Sequence, residues 1–366
     1  MRRKIGYDAR MIEHSGIGVR IQHILRFWPI NMIDAELFVF GDPEKLRNYD
    51  LPKHAKIIPY FAKIYSVKEW MGHPAMKNMD LLDIPHFNVP IFQISKCIVT
   101  IHDLIPYHFK SVHGSLIKRF YLNFILRLII RYAKKIVAVS NFTKQDIQKE
   151  FYSGNRDIEV IYNGIDPLIF HPNDEVLVNE FRQNLNLPKT FLLSIGIGKV
   201  HKNFEFLIRN LVTLWRNGSL DIPLILGGIS KDVPDDIQNL KSQFPDKLII
   251  LPFLSYEKLP FIYQTSDLFI FPSKFEGFGF PVLEAQAVGA PVLSSNATVL
   301  PEILKDSAFL FDPTNDKDFQ EVLLRLLGDH ELRISKKSEG LVNSVRFHWL
   351  DQIKKIKKMY ESLLND

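Results

Sequence analysis

The sequence predicts an α/β protein made of two doubly wound parallel sheets that face each other across a cleft. Three observations lead there. Short continuous apolar runs alternate with longer helical-looking segments, and the alternation restarts after a turn-rich interval near mid-chain. The length, 366 residues, exceeds one ordinary core and suits two.

The expected strands of the first half are Lys4–Tyr7, Glu36–Phe40, Cys97–Ile101 and Lys135–Val139. Those of the second half are Phe191–Ile195, Pro223–Leu226, Leu248–Leu251, Leu268–Phe271 and Pro291–Ser294. Continuous rather than alternating apolar character is what a strand covered on both faces requires. Ser140 or Asn141 can cap the helix entered at Thr143, and Ser255 can cap one carrying Glu257 in its first turn. A boundary is expected near Tyr162–Pro188, where Asn163-Gly164, Asp166-Pro167 and His171-Pro172 are turn signals. Two such halves bind ligands at the carboxyl edges of their strands.

Composition removes several classes. Hydrophobic residues at 46% and charged residues at 24% describe a globular chain, without low-complexity stretches. One cysteine, Cys97, cannot form an internal disulfide, and no Cys/His cluster suggests structural zinc; both fit a reducing cytoplasm. The opening MRRKIGYDARMIEH lacks a signal-peptide core, and no run approaches the ~20 apolar residues of a membrane span. A cytoplasmic protein is therefore expected. Net charge is +5, yet Lys110–Lys135 holds seven Lys/Arg and no acid. That local excess suits an anionic surface, whereas no nucleic-acid-binding signature is present.

The strongest motif runs from Phe271 to Glu284, Phe-Pro-Ser-Lys-Phe-Glu-Gly-Phe-Gly-Phe-Pro-Val-Leu-Glu. It reads as a strand end, a glycine loop and a helix starting near Pro281, where proline's missing N–H costs nothing. Loop glycines let backbone amides approach a ligand, and a helix N-terminus favours an anion such as a diphosphate. Glu276 and Glu284, at either end, can accept hydrogen bonds from sugar hydroxyls; the bland reading is a loop charge and a solvated helix residue.

Glu276 to Glu284 resembles the paired-glutamate motif of the retaining glycosyltransferase family 4, which has the GT-B fold of two Rossmann-like domains. The likeness continues through Glu284-Ala-Gln-Ala-Val-Gly-Ala-Pro-Val-Leu-Ser-Ser-Asn, Leu300-Pro301-Glu302 and Phe311-Asp312-Pro313. It also covers Ile5–Arg10, Gly16-Ile17-Gly18, Thr100-Ile101-His102-Asp103-Leu104-Ile105-Pro106, Val139–Thr143 and Ile161–Asp166, in the family's order. The wording is nearest to bacterial mannosyltransferases of surface polysaccharides. The resemblance implies an acceptor-side domain over 1–170, a nucleotide-sugar domain over 188–346, and a last helix over 347–366 returning to the first domain. It implies retaining transfer of a sugar, mannose from its GDP donor by this wording, to a glycan or lipid-linked acceptor. A glucosyl or other hexosyl transfer from a UDP-sugar would use the same fold.

Carried over by position, Glu276 holds donor-sugar hydroxyls and Glu284 the ribose hydroxyls. Backbone amides of Gly277, Phe278, Gly279, Phe280, Val282 and Leu283 contact sugar and phosphate oxygens. Lys202, in Gly196-Ile-Gly-Lys-Val-His-Lys-Asn, stabilises charge on the leaving diphosphate. The family commonly has arginine just before this lysine or five residues further back, where this chain has His201 and Ile197; Lys199 is the candidate second cation. His102 resembles the family's cleft histidine beside the donor sugar, and the Gly16–Gly18 turn its phosphate-side loop.

No metal or other cofactor is expected, because the Asp316-Lys317-Asp318 pattern reads as the first turn of a surface helix. In the basic stretch, Ile117, Phe120, Tyr121, Phe124 and Leu128 recur at helical spacing, as do Arg127, Arg131 and Lys134. This is either a buried helix with one solvated basic face or a peripheral contact with the inner face of an anionic membrane. Among competitors, a nicotinamide oxidoreductase lacks its GxGxxG after the first strand. A GT-B epimerase or phosphorylase would need a product assay to separate, and a catalytically silent scaffold would have lost the donor contacts.

Overall fold

In the computed structural model, residues 2–28, 35–109, 116–152, 156–196, 199–229, 235–252 and 254–365 are described. The chain divides into two compact units, Met1–Gly164 with Trp349–Asp366, and Ile165–His348.

The first unit is a seven-stranded sheet in the order β3-β2-β1-β4-β5-β6-β7. Its strands are β1 (Arg3–Asp8), β2 (Ala35–Gly41), β3 (Lys56–Pro59), β4 (Leu81–Ile84), β5 (Cys97–Ile101), β6 (Lys135–Ala138) and β7 (Ile158–Val160). All neighbours are parallel. Strand order reverses between β1 and β4, which makes the carboxyl edge there the natural binding position. His102 directly follows β5. The helix Trp349–Asn365 buries Trp349, Ile353, Ile356, Tyr360 and Leu364. Its Tyr360 hydroxyl donates to Asp83 of β4, whose carboxyl burial pushes up to about 6. Trp349 stacks on His23 at 5.1 Å between ring centroids. Gly164 is required beside it, since a Cβ there would lie 2.7 Å from the Trp349 backbone.

The second unit is a six-stranded sheet in the order β10-β9-β8-β11-β12-β13. It contains β8 (Leu192–Ile195), β9 (Leu224–Ile229), β10 (Leu248–Pro252), β11 (Leu268–Phe271), β12 (Val292–Ser295) and β13 (Phe309–Phe311). Again every pair is parallel. Here the order reverses between β8 and β11. The helix Phe204–Arg216 shows why the strands are apolar throughout: it lays Phe204, Leu207, Ile208, Leu211 and Trp215 on the sheet.

Several expectations change. Ser140 caps the helix Asn141–Phe151, accepting from the Thr143 N–H at 3.0 Å. Ser255 precedes only a 3-10 turn, Tyr256–Lys258, and its side chain makes no cap bond. The boundary stretch 162–188, whose turn signals end at Pro172, also contains the helix Glu175–Asn184. Gly16 and Gly18 do not form a tight turn; they lie in the first turn of the helix Ser15–Arg26. Gly18 is there because the Ile12 carbonyl would sit 2.4 Å from a Cβ.

The basic helix, Leu116–Tyr132, buries Leu122, Ile125, Leu126 and Ile129 instead of the row through Phe120 and Phe124. Phe120 and Phe124 are 77% and 52% exposed, on the same side as exposed Arg127 and Arg131. Periodicity misplaced the core face because apolar residues surround this helix, so spacing alone selects no side. Lys110 to Ser115, the start of the stretch, lie outside the described residues, as do Ile197 and Gly198.

Candidate functional site

Three loops meet at the carboxyl edge of the second sheet, where its order reverses. The loop after β8 carries Lys202, the loop after β11 carries Glu276, and the loop after β12 carries Thr298. Lys202 Nζ lies 2.7 Å from Glu276 Oε1 and 4.6 Å above the Phe271 ring. The ring face attracts the ammonium electrostatically, and its carboxylate partner makes a charge-assisted hydrogen bond. Ser273 Oγ, wholly buried, is 2.7 Å from the same Glu276 oxygen and donates to it. The Lys274 N–H donates to the His201 carbonyl at 2.7 Å, stitching the first two loops together. The Glu276 N–H donates to Thr298 Oγ1 at 3.1 Å, joining the third.

The helix Phe280–Ala287 begins at this point. Its N-cap is Gly279, at φ +90°, a conformation open to glycine, and this residue has no side chain with which to cap the N-terminal amides. Phe278, Val282 and Leu283 are buried, so those residues offer a ligand their backbones alone. Pro281 occupies the first turn. Glu284 projects from this helix into the interior, only 5% exposed, and accepts from the Tyr263 hydroxyl at 3.0 Å. Burial pushes its carboxyl up to about 7, against the Tyr263 hydrogen bond and the Lys202 charge, which both lower it. A carboxylate near neutrality with one oxygen already oriented is a ready acceptor for hydroxyl groups.

His201, standing where the family commonly has arginine, is not a substitute cation. Burial pulls its imidazole down to about 4, so it is neutral at pH 7, while Lys199 is exposed at the start of the 3-10 turn Val200–Lys202. Asp316 and Asp318 sit in the first turn of the helix Asp316–Gly328, capped by Asn315. Asp316 binds Arg209 at 2.6 Å and Asn210 at 2.8 Å, and Asp318 accepts the Asp312 N–H. Asp316 thus ties its helix to the helix Phe204–Arg216, and Asp318 ties it to the main chain at Asp312.

His102, Gly16 and Gly18 belong to the first unit. His102 Nε2 is 3.0 Å from the Pro85 carbonyl, which can only accept, so Nε2 carries the proton. Burial pulls its pKa well below the usual imidazole range. The ring is therefore neutral and Nδ1 presents a lone pair. Also in this unit, His108, Asp146 and Glu150 are the one group of metal-ligand type among the described residues. His108 Nε2 sits 2.8 Å from Asp146.

Tyr263, Ser273 and Thr298 were missed by sequence reasoning. Tyr263 stands on a different helix from Glu284, with no spacing rule to connect them. The sequence signal for Thr298 was weak, a small polar run, Ser294 to Thr298, at a strand end.

The family model described as glycosyl transferases group 1 matches residues 178–360, and that of glycosyltransferase family 4 matches residues 14–167. The chain belongs to glycosyltransferase family 4. Its similarity to O-antigen chain mannosyltransferase B of Escherichia coli is 28% identity, covering 94% of this chain and 91% of the relative. With O-antigen chain mannosyltransferase RfbU of Salmonella typhimurium it shares 25% identity over 67% of this chain, and it spans 64% of that relative's length. Against serotype-specific mannosyltransferase WbdA of Escherichia coli it is 27% identical over 78% of this chain but spans 35% of the relative. The fold resembles sucrose-phosphate synthase from Thermosynechococcus elongatus, with TM-score 0.79, 16% identity and full coverage of both chains. It also resembles Anabaena HepE, solved with UDP and glucose, with TM-score 0.76, 18% identity, and coverage of 98% of this chain and all of that one. Family 4 membership and the GT-B fold follow.

Proposed function

We propose that this family 4 enzyme transfers a mannosyl residue from GDP-mannose, with retention, to a glycan or lipid-linked glycan in surface polysaccharide synthesis. The observation that carries the donor site is the Lys202–Glu276 pair at the point where the second sheet reverses, beside a helix N-terminus whose cap residue is Gly279. The mannosyl assignment is supported by the relatives' names. Lys202 shifts from Glu276 toward the diphosphate, where it offsets the negative charge growing on the leaving nucleotide. Glu276, so released, accepts from sugar hydroxyls, while Gly277, Phe278, Gly279, Phe280, Val282 and Leu283 direct backbone amides at phosphate and sugar oxygens. Glu284 accepts from the ribose. His102 accepts a substrate hydroxyl at Nδ1 and is a hydrogen-bond partner rather than a proton donor. The bond from the anomeric carbon to phosphate breaks as the acceptor oxygen bonds on the same face, and the acceptor's proton leaves with the diphosphate.

The cationic work is given to lysine rather than to a metal, since both acids of the only Asp-x-Asp motif in the sequence are engaged in structural contacts, Asp316 with Arg209 and Asn210 and Asp318 with the Asp312 N–H. A thermal-shift screen in EDTA tests donor and metal together, because a ligand that binds only the folded chain raises its melting temperature. GDP-mannose is expected to stabilise the chain more than UDP-glucose does, with chelator present. A larger shift with UDP-sugars would reassign the donor, and a shift that needs Mg²⁺ or Mn²⁺ would reinstate a metal.

A further inference from the structure

Thr298 has φ +53°, in the left-handed region. A β-branched side chain there is an outlier, since its Cβ substituents crowd the backbone, and such strain persists only where the surroundings enforce it. Glycine would occupy the position without strain. What glycine cannot supply is the hydroxyl, and Thr298 Oγ1 is the acceptor of the Glu276 N–H at 3.1 Å. This hydrogen bond runs from the loop after β12 directly to the residue whose carboxylate meets Lys202 and Ser273.

We propose that Thr298 is a positioning residue for donor-sugar recognition. Its hydroxyl fixes the main chain of Glu276, and with it the start of the Gly277–Gly279 turn, at the register the sugar and phosphates require. The backbone strain at Thr298 is tolerated for that bond. Two separate constraints then hold Glu276: Lys202 and Ser273 grip the carboxylate, and Thr298 grips the backbone. Loss of the second lets the carboxylate keep its ion pair while the turn below it drifts, so the fold survives and catalysis does not. This inference rests on the reading of Glu276 as a donor-sugar contact.

The test compares T298G, T298A and T298S in the full chain, by melting temperature and by steady-state kinetics with GDP-mannose. T298G and T298A lose the hydroxyl, and glycine also relieves the strain; T298S keeps the hydroxyl. T298G is expected to melt no lower than the wild type yet to lose at least tenfold in kcat/KM, T298A to lose a similar factor, and T298S to stay within threefold of wild type. A purely structural Thr298 would leave T298G as active as wild type, which overturns the proposal. So would T298S as impaired as T298A, since the hydroxyl would then be irrelevant. A wild-type chain that neither binds nor turns over any nucleotide sugar would overturn the functional reading itself. An active wild type with an unimpaired T298G overturns the positioning role alone.

Discussion

At the scale of single residues, Glu284 shows how burial and function pull against each other. Its carboxyl titrates near 7 in the folded chain against an ordinary value of 4.5. Because the folded value is the higher one, the carboxyl's contribution to stability is full below about 4.5 and is lost as pH rises through about 7. Glu284→Gln mimics the protonated form. It is expected to melt higher than wild type at pH 8, by roughly 1–3 kcal/mol of stability, and about equally at pH 5. The same variant should bind donor at least tenfold more weakly at pH 8, because the ribose loses a charged acceptor. Calorimetric melting and donor titration at the two pH values check both halves; unchanged donor affinity would remove Glu284 from the nucleotide site. Tyr263→Phe deletes the hydrogen bond that lowers this carboxyl's pKa. The acid limb of donor binding should therefore move up by about 0.5–1 pH unit, the effect of one modest hydrogen bond. A limb that stays in place would show that Tyr263 merely packs.

Among the elements, the strands with unbroken apolar runs were legible and those without were not. β11 was read to the residue because Leu268-Phe-Ile-Phe is buried throughout. β4, central in its sheet, was missed: Asp83 interrupts Leu81–Ile84, and nothing local shows that Tyr360, at the far end of the sequence, satisfies it. β3, β7 and β13 are sheet-edge strands of three or four residues, too short for a pattern. The basic helix was legible as a helix but not as to its buried face. Its exposed face, with Phe120, Phe124, Arg127 and Arg131, is better suited to an interface than the sequence suggested. Tyr121 of this helix stacks at 5.7 Å on Trp70 of the helix Val67–Met71, whose Val67 and Met71 are also exposed. No helix among the described residues is long and apolar enough to cross a membrane. Peripheral attachment to an anionic leaflet would bring an enzyme to a lipid-linked acceptor, each basic residue contributing on the order of 1 kcal/mol. The chain should co-sediment with phosphatidylglycerol-containing but not with neutral vesicles. Arg127→Glu with Arg131→Glu, or added salt, should reduce that binding at least tenfold. Equal binding to neutral vesicles would reject the electrostatic account, and none at all would favour a soluble acceptor.

For the whole molecule, the two parallel sheets and the paired glutamates were readable because both depend on contiguous sequence. What joins Lys202 to Glu276 was not readable as a contact. The two residues follow β8 and β11, strands separated in sequence by β9 and β10, and meet only because the sheet reverses between them. The resemblance named both residues and assigned them to different parts of the donor; the fold adds that the two are in direct contact. Lys202 is proposed to supply the charge that drives departure of the nucleotide. Steady-state mannosyl transfer from GDP-mannose by wild type and Lys202→Ala, with melting temperatures measured alongside, tests it most directly. For Lys202→Ala, kcat is expected to fall by roughly 10²-fold, as for loss of one fixed electrostatic partner of the transition state, while the folded chain melts within a few degrees of wild type. Wild-type turnover by a folded Lys202→Ala chain would contradict it.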